Sequence, residues 1–494
     1  MTATALCDTP REAARLAADA MDWLAERSPR ERGELLLAVA GALDGAAAEL
    51  IALADEETAL GEARLTGEMA RTTGQLRLFA NVLAEGSYLE ATLDAADPDA
   101  TPPRPDLRRM LEPLGPVAVF AASNFPFAFS VAGGDTASAL AAGCPVVLKA
   151  HSGHPKLSER TTAVVSAALE HGGAPAGTFS CLAGRGAGRE LVRDPDIRAV
   201  GFTGSLAGGR ALFDLAAARE DPIPFFGELG SINPVLITRR AVRERGTAIA
   251  EGLVGSFTLG VGQFCTKPGI VLVPDDTGFE QLVVDALAGA TGGRMLTDRI
   301  AGGFHGGVGE LLATGSARLL DGSGGHVDTA TRHADPVLLA ADAADLIRDP
   351  EPLLRENFGP ACALVRYRDG DELAAAVDVL PGSLTTTVHA EQADVTALTG
   401  VVALKARSGR LVWNGWPTGV AVTWSQHHGG PWPATTAPLH TSVGATAIRR
   451  WLRPVCYQDY PAELLPPALR DDNPLGLPRR VNSLRTTTQS TRDG

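Results

Sequence analysis

Cysteine is scarce. Six residues (Cys7, Cys144, Cys181, Cys265, Cys362 and Cys456) are scattered over 494 positions, and no Cys-x-x-Cys pair occurs. The histidines do not supply zinc-site spacing either. This excludes a disulfide framework and a structural zinc site, and predicts free thiols in a reduced, cytoplasmic setting with no metal. Long apolar runs are absent. No stretch reaches the roughly 18 uninterrupted apolar residues that a membrane span needs. Basic runs are absent too. With 44 Lys and Arg against 58 Asp and Glu, the formal net charge is −14, which argues against a nucleic-acid or membrane-surface partner. The N-terminus lacks a basic start followed by an apolar core and a cleavage site, so no secretory signal is expected.

What is present is a globular composition, 45% hydrophobic and 21% charged, with 55 glycines and 33 prolines. The length exceeds one hydrophobic core and predicts two or three domains. Residues 9–92 read as helical, with Trp23, Leu24, Leu35, Leu36, Val39, Leu43, Leu50 and Leu53 at three- and four-residue intervals. A Pro- and Asp-rich connection follows at 94–106. Strand–helix alternation then begins at Pro116–Phe120 and continues through Cys144–Leu148, Phe179–Ala183 and Ile197–Thr203. Such alternation predicts an α/β fold with a parallel sheet, whose ligands bind beyond the carboxyl ends of the strands. Asn124, Lys149, Ser152, Gly204 and Ser205 fall at such ends. The Gly-rich run Gly302-Gly303-Phe304-His305-Gly306-Gly307 predicts a loop or helix break, and the polar tail 478–494 predicts disorder.

Two stretches stand out chemically. Gly260-Val261-Gly262-Gln263-Phe264-Cys265-Thr266-Lys267-Pro268-Gly269 can present a thiol at a loop apex, although a lone cysteine is commonly only packed. Phe225-Phe226-Gly227-Glu228-Leu229-Gly230 places a carboxylate in an apolar run, where an unpaired charge is costly. A nucleophile and a base form a chemical pair. Gly201–Gly209 joins a strand to a helix and reads equally as a structural turn or as a phosphate-binding helix start; it is not a Gly-x-Gly-x-x-Gly. Lys149 reads as a solvated strand end or a ribose or phosphate contact. Asn124 reads as a turn former or an oxyanion donor, and Glu356 as a helix cap or a ribose acceptor. His428 reads as a packed loop histidine or a site residue.

Taken together, Ser123-Asn124-Phe125-Pro126, Phe202-Thr203-Gly204-Ser205, Phe226-Gly227-Glu228, Gly262-Gln263-Phe264-Cys265 and Glu356-Asn357-Phe358-Gly359-Pro360 resemble the aldehyde dehydrogenase superfamily in order and spacing. The resemblance covers about residues 10–475. Within it, Ser130–Leu140, Gly204–Asp214, Gly415–Gly419, His428–Ala434 and Ile448–Cys456 are most similar to the 2-oxoglutarate semialdehyde (2,5-dioxovalerate) dehydrogenase branch.

The resemblance implies a doubly wound cofactor domain (1–92 and 114–229), an α/β catalytic domain (230–435) and a small β oligomerisation element (93–113 and 436–475), assembled as a homodimer or homotetramer. It implies Cys265 as nucleophile, Asn124 as oxyanion donor and Glu228 as general base, its pKa lifted toward neutral by burial. Lys149, Ser152, Gly204, Ser205, Glu356 and Phe358 would hold the cofactor, with His428 in the substrate pocket. Ser152 stands where the superfamily commonly has a glutamate for the NAD ribose. That exchange favours NADP over NAD, and Arg185 offers a further charge for its phosphate, or else is a solvated loop residue.

Ser231-Ile232 departs from the common Gly-Lys, the 275–330 segment is short, and Trp424–His427 alters the pocket; each leaves the aldehyde open. The implied reaction is oxidation of 2,5-dioxopentanoate to 2-oxoglutarate. The alternatives are another fatty or biosynthetic aldehyde, acyl transfer from a Cys265 thioester to a carrier thiol, and a non-catalytic scaffold. A pocket cation would favour the semialdehyde; an apolar tunnel would favour a fatty aldehyde.

Overall fold

The computed structural model describes Cys7 and residues 9–184, 186–395 and 404–486. Helices Pro10–Glu26, Pro29–Gly45, Ala47–Thr58 and Glu62–Glu85 open the chain. Their starts follow from local chemistry. Thr9 caps the first, with Pro10 at its first position, and Ser28 and Glu31 form a reciprocal capping box at the second. The fourth buries Leu65, Met69, Leu76, Phe79 and Leu83 at helical spacing. Among the described residues no single helix is long and apolar enough to cross a membrane.

The first parallel sheet runs, in spatial order, Phe179–Leu182, Val146–Lys149, Val117–Phe120, Ala199–Thr203 and Phe225–Glu228. Its Val-rich strands are buried almost end to end, as a sheet covered on both faces requires. The chain starts in the centre, winds outward to one edge and returns to build the other. The order therefore reverses between Val117–Phe120 and Ala199–Thr203, and a crevice opens past Phe120 and Thr203.

A second sheet holds seven strands: Arg318–Gly322, Val337–Asp342, Ala361–Tyr367, Ile270–Pro274, Val235–Ile237, Ser383–His389 and Ser408–Trp413. It is parallel except for the first pair. A third sheet pairs Leu452–Gln458, Leu107–Pro113, Thr92–Asp94, Arg479–Val481 and Leu484–Thr486.

Two expectations are corrected. Residues 479–486, expected in a disordered tail, form strands of this third sheet; Arg480 and Val481 pair with Thr92 and Leu93. The glycine run lies inside one helix, Asp298–Ala313. Ala301, Phe304, Val308 and Leu311 bury one stripe, while Gly302, Gly303, Gly306 and Gly309 face open space. Packing of the stripe outweighs the roughly 1 kcal/mol cost of each helical glycine.

The C-terminal part is tied back to the first sheet. Arg450 pairs with Asp135 at 2.7 Å, and the fully buried Trp451 donates its indole N–H to Ser138 Oγ at 2.8 Å. Two of the stretches that carried the branch resemblance thus pack against each other.

Candidate active site

Helix Arg239–Thr258 delivers the cysteine loop. Gly260, Val261 and Gly262 then take φ values of 57°, 58° and 64°. Left-handed backbone at a β-branched valine is strained, and a loop keeps it only where its surroundings dictate the path. They do so here: a Cβ on Gly262 would strike the backbone of Gly359. Beyond the cysteine, the buried Asn233 amide donates to the carbonyls of Cys265 at 2.7 Å and Lys267 at 3.0 Å. Its Oδ1 accepts from the Ser231 hydroxyl at 2.7 Å. The Ser231 departure is thus part of the scaffold that fixes the thiol.

Cys265 Sγ lies 3.5 Å from His428 Nε2, and the same nitrogen lies 2.9 Å from Glu228 Oε1. The Ser442 hydroxyl donates to the other carboxylate oxygen at 2.7 Å. His428 is itself fixed, its N–H donating to Thr441 Oγ1 at 2.8 Å and its carbonyl accepting from Ser442 N. Glu228 and His428 are 3% and 1% exposed, so each must find its partners inside the protein.

Burial alone pushes the Glu228 carboxyl up. The charge and N–H of His428, the Ser442 hydroxyl and the Cys265 thiol outweigh it and hold the group below its ordinary range. The expected lift toward neutral is therefore reversed. With Glu228 ionised, Nε2 of His428 carries the shared proton. The Cys265 thiol moves the other way, well above its ordinary value of 9, because burial and the Glu228 charge both disfavour a thiolate. Cys265, Glu228 and His428 could also ligate a cation by distance, all three donor atoms lying within 4.8 Å of one another.

Asn124 is tied to the cysteine loop. Its side-chain amide donates to the Gln263 carbonyl at 3.0 Å, and an amide nitrogen has a second N–H to offer. Glu356 lies within electrostatic reach of the thiol. Its carboxylate packs against Gly230, where a Cβ would come within 2.5 Å of Oε2, and burial raises its pKa to about 7 against the pull of Lys267. Lys267 is buried and donates to the Ala361 carbonyl at 2.7 Å. Phe358 is half-buried in the same segment.

The remaining candidates collect at the crevice of the first sheet. Phe120 pairs in register with Lys149 on one side and Phe202 on the other. Ser152 is exposed three residues past Lys149. Gly204 and Ser205 are exposed at the start of helix Leu206–Ala217, where Ser205 Oγ accepts from Gly208 N at 3.3 Å. This leaves the first backbone N–H groups of the helix facing outward, a setting that suits a phosphate. Gly204 N also donates to the Glu228 carbonyl at 3.1 Å, joining crevice and carboxylate. The residues present therefore fit a dinucleotide. Arg185 lies outside the described residues.

Sequence reasoning missed Asn233, Ser442, Lys267 and a line of polar side chains on helix Glu62–Glu85: Arg64, Glu68, Arg71 and Gln75. Their spacing of four, three and four residues puts them on one face, and Glu68 and Gln75 are 5% and 1% exposed. Charged residues at core spacing were the available signal.

Residues 4–431 match the Aldehyde dehydrogenase family. The chain is 48% identical over 475 residues to alpha-ketoglutaric semialdehyde dehydrogenase 2 of Azospirillum brasilense, covering 94% of this chain and 90% of that one. It is 41% identical over 487 residues to alpha-ketoglutaric semialdehyde dehydrogenase of Acinetobacter baylyi, covering 98% and 92%. Its fold superposes on gamma-glutamyl-gamma-aminobutyraldehyde dehydrogenase of Burkholderia cenocepacia with a TM-score of 0.76 at 22% identity, over 91% and 88% of the two chains. A thiol, a carboxylate and an imidazole joined at the mouth of a doubly wound sheet sit within a match spanning most of the sequence, and the chain belongs to the aldehyde dehydrogenase family of NAD(P)-dependent oxidoreductases acting on aldehydes.

Proposed function

We propose that this enzyme oxidises 2,5-dioxopentanoate to 2-oxoglutarate with NADP⁺, using Cys265 as nucleophile. The observation that carries the chemistry is the contact chain from the half-buried Cys265 through the buried His428 to Glu228 and Ser442. The substrate is carried over from the two semialdehyde dehydrogenases to which the chain is 48% and 41% identical.

Cys265 sulfur attacks the aldehyde carbon, and its proton passes to Glu228, the ionised acceptor in reach. The Nε2 proton of His428, 3.5 Å from Sγ, stabilises negative charge on the sulfur as it forms. The free N–H of the Asn124 amide holds the developing oxyanion; removing one such donor typically costs about 2.7–4 kcal/mol of barrier. NADP⁺, when bound, accepts the hydride that leaves the thiohemiacetal carbon. Cys265 then carries a thioester. Once Glu228 has released to solvent the proton it took from Cys265, it takes another from water as the water attacks and returns it to the sulfur as the C–S bond breaks; the products are the acid, ionised to the carboxylate with its proton lost to solvent, and the free thiol. Lys149, Ser152, Gly204, Ser205, Glu356 and Phe358 would hold the cofactor. An uncharged Ser152 accepts a 2′-phosphate that a glutamate would repel.

The oligomer we infer is a homodimer or a dimer of dimers. Edge strand Leu452–Gln458, whose side chains alternate toward solvent, would extend a sheet of a second copy.

The test is NAD(P)H formation from 2,5-dioxopentanoate, succinic semialdehyde, hexanal, decanal and benzaldehyde, each with NAD⁺ and NADP⁺. The expected outcome is strong preference for 2,5-dioxopentanoate with NADP⁺. Fast turnover of a different aldehyde would overturn the substrate, and preference for NAD⁺ would overturn the role of Ser152.

A further inference from the structure

A five-carbon substrate with an aldehyde at one end carries a 2-oxo carboxylate at the other. The nucleophile, base and oxyanion donor all serve the aldehyde end. Helix Glu62–Glu85 brings a cation to the aromatic rings next to the site. The Arg71 guanidinium lies over the rings of Phe125 and Phe129, at 5.6 and 5.4 Å from their centroids. Both rings stand next to residues that flank or contact the thiol. Phe129 stands 6.2 Å from the His428 ring, and Phe125 meets Phe264, the residue before Cys265, edge-on at 5.2 Å. Arg71 is thus one aromatic layer from the catalytic groups, and its charge is felt at both Cys265 and Glu228.

Its neighbours Arg64 and Glu68 on the same helix face each engage the backbone, although Arg64 Nη1, Glu68 Oε2 and Gln75 Nε2 are also buried without a partner among the described residues. Arg64 donates to the Asn124 carbonyl at 2.6 Å, and Glu68 accepts from the backbone N–H groups of Phe127 and Ala128 at 2.8 and 3.0 Å. They hold the Asn124–Phe129 segment in place. Arg71 is different. Its Nε and Nη2 are buried and have no hydrogen-bond partner among the described residues. An unsatisfied buried donor on a charged group is costly, and a fold retains one where a ligand completes it. Nε and Nη2 form one edge of the guanidinium, two parallel N–H donors that match the two oxygens of a carboxylate. Arg410 is also within electrostatic reach of Cys265, but both of its Nη atoms are spent on the carbonyls of Pro417 and Gly419.

We propose that Arg71, supported between Phe125 and Phe129, binds the carboxylate of the substrate through its Nε–Nη2 edge and selects aldehydes that carry a carboxylate at their far end. This rests on the semialdehyde reading above. Removing a buried cation from a bound carboxylate should cost on the order of 100-fold in discrimination. In Arg71→Met, which keeps the length and loses the charge, the ratio of kcat/KM for 2,5-dioxopentanoate to that for pentanal should fall about that far, mainly through KM. Arg71→Lys should recover part of the ratio, since it keeps the charge without the fork. A ratio unchanged in Arg71→Met would overturn the proposal.

A second measurement needs no substrate assignment. The rate of Cys265 alkylation by 5-iodopentanoate relative to 5-iodopentanamide, whose far ends lie as many carbons from the sulfur as the carboxylate of the proposed substrate, scaled to the same ratio for glutathione, should exceed one in the wild type and drop toward one in Arg71→Met. A wild type without carboxylate preference in alkylation would overturn the clamp even if the variants fail to fold. If the wild type shows that preference yet does not oxidise 2,5-dioxopentanoate, the substrate reading fails and the clamp stands.

Discussion

Cys265, His428, Glu228 and Ser442 are held by partners far along the chain, whereas Ser205 and Ser152 sit among near neighbours. The sulfur–imidazole contact spans 163 positions and the Ser442–Glu228 bond spans 214; Ser205 bonds Gly208, three residues on. In the first group Glu228, His428 and Ser442 are buried, Cys265 is half-buried, and all are already wired together; the second is open to solvent. The difference matches the tasks proposed for the two groups. Groups that move protons at a fixed carbon gain from being placed before the substrate arrives. An edge that must admit and release a dinucleotide each turnover gains from exposure.

The wired half breaks most severely. His428→Ala removes the charge and N–H donor that oppose burial most strongly at Glu228, and the donor to the sulfur, leaving the Ser442 hydroxyl and the Cys265 thiol on the carboxylate. kcat should fall about 10²- to 10³-fold. Burial then dominates Glu228, so the acidic limb of the kcat/KM profile should move to higher pH. A drop in kcat without that movement would reduce His428 to packing.

At the open edge the effects should be smaller. Ser152→Glu places a carboxylate where the 2′-phosphate is expected. The NADP⁺ to NAD⁺ ratio of kcat/KM should fall about tenfold, equal to ~1.4 kcal/mol. An unmoved ratio would put the phosphate elsewhere.

Glu356 lies between the two halves and sharpens the comparison through stability. It keeps its proton up to about pH 7 in the folded protein, against an ordinary value of 4.5. Between those values the folded state binds a proton that the unfolded chain has released. Its stabilising contribution is therefore full below 4.5 and is lost as pH rises through 7. Glu356→Gln should melt above the wild type at pH 8, by an amount on the order of 1–2 kcal/mol, and the gap should close toward pH 5. Equal melting at both values would mean that the carboxylate is solvated.

Much of this was legible in the chain. Alternating apolar strands and helices carried the α/β class, and short motifs around Cys265 and Glu228 singled out two residues that the fold brings together with His428. What escaped was whatever depends on distant partners or on packing. Arg71 reads as one more arginine of an amphipathic helix until Phe125 and Phe129 are placed beneath it. Asn233 reads as a turn before Pro234, yet it bonds two carbonyls of the cysteine loop. Glycines 302–307 read as a break because propensity is local, whereas the stripe of Phe304 and Val308 gains its worth from the sheet it covers. The Glu228 carboxyl was expected to rise because burial is legible in an apolar run; the three opposing partners are not.

Gly262 leaves no room for a side chain beside the Gly359 carbonyl, and Gly307 leaves none beside the Asn357 side chain. The loop that carries the nucleophile and helix Asp298–Ala313 both mesh like gear teeth with the segment that carries Glu356, so that segment is held from two sides. On the assignments proposed here, the loop bears the substrate and the segment the ribose. A reversible hemithioacetal on Cys265 and a dinucleotide against Glu356 must then answer to each other, and whatever factor one adds to the other's affinity is returned in full.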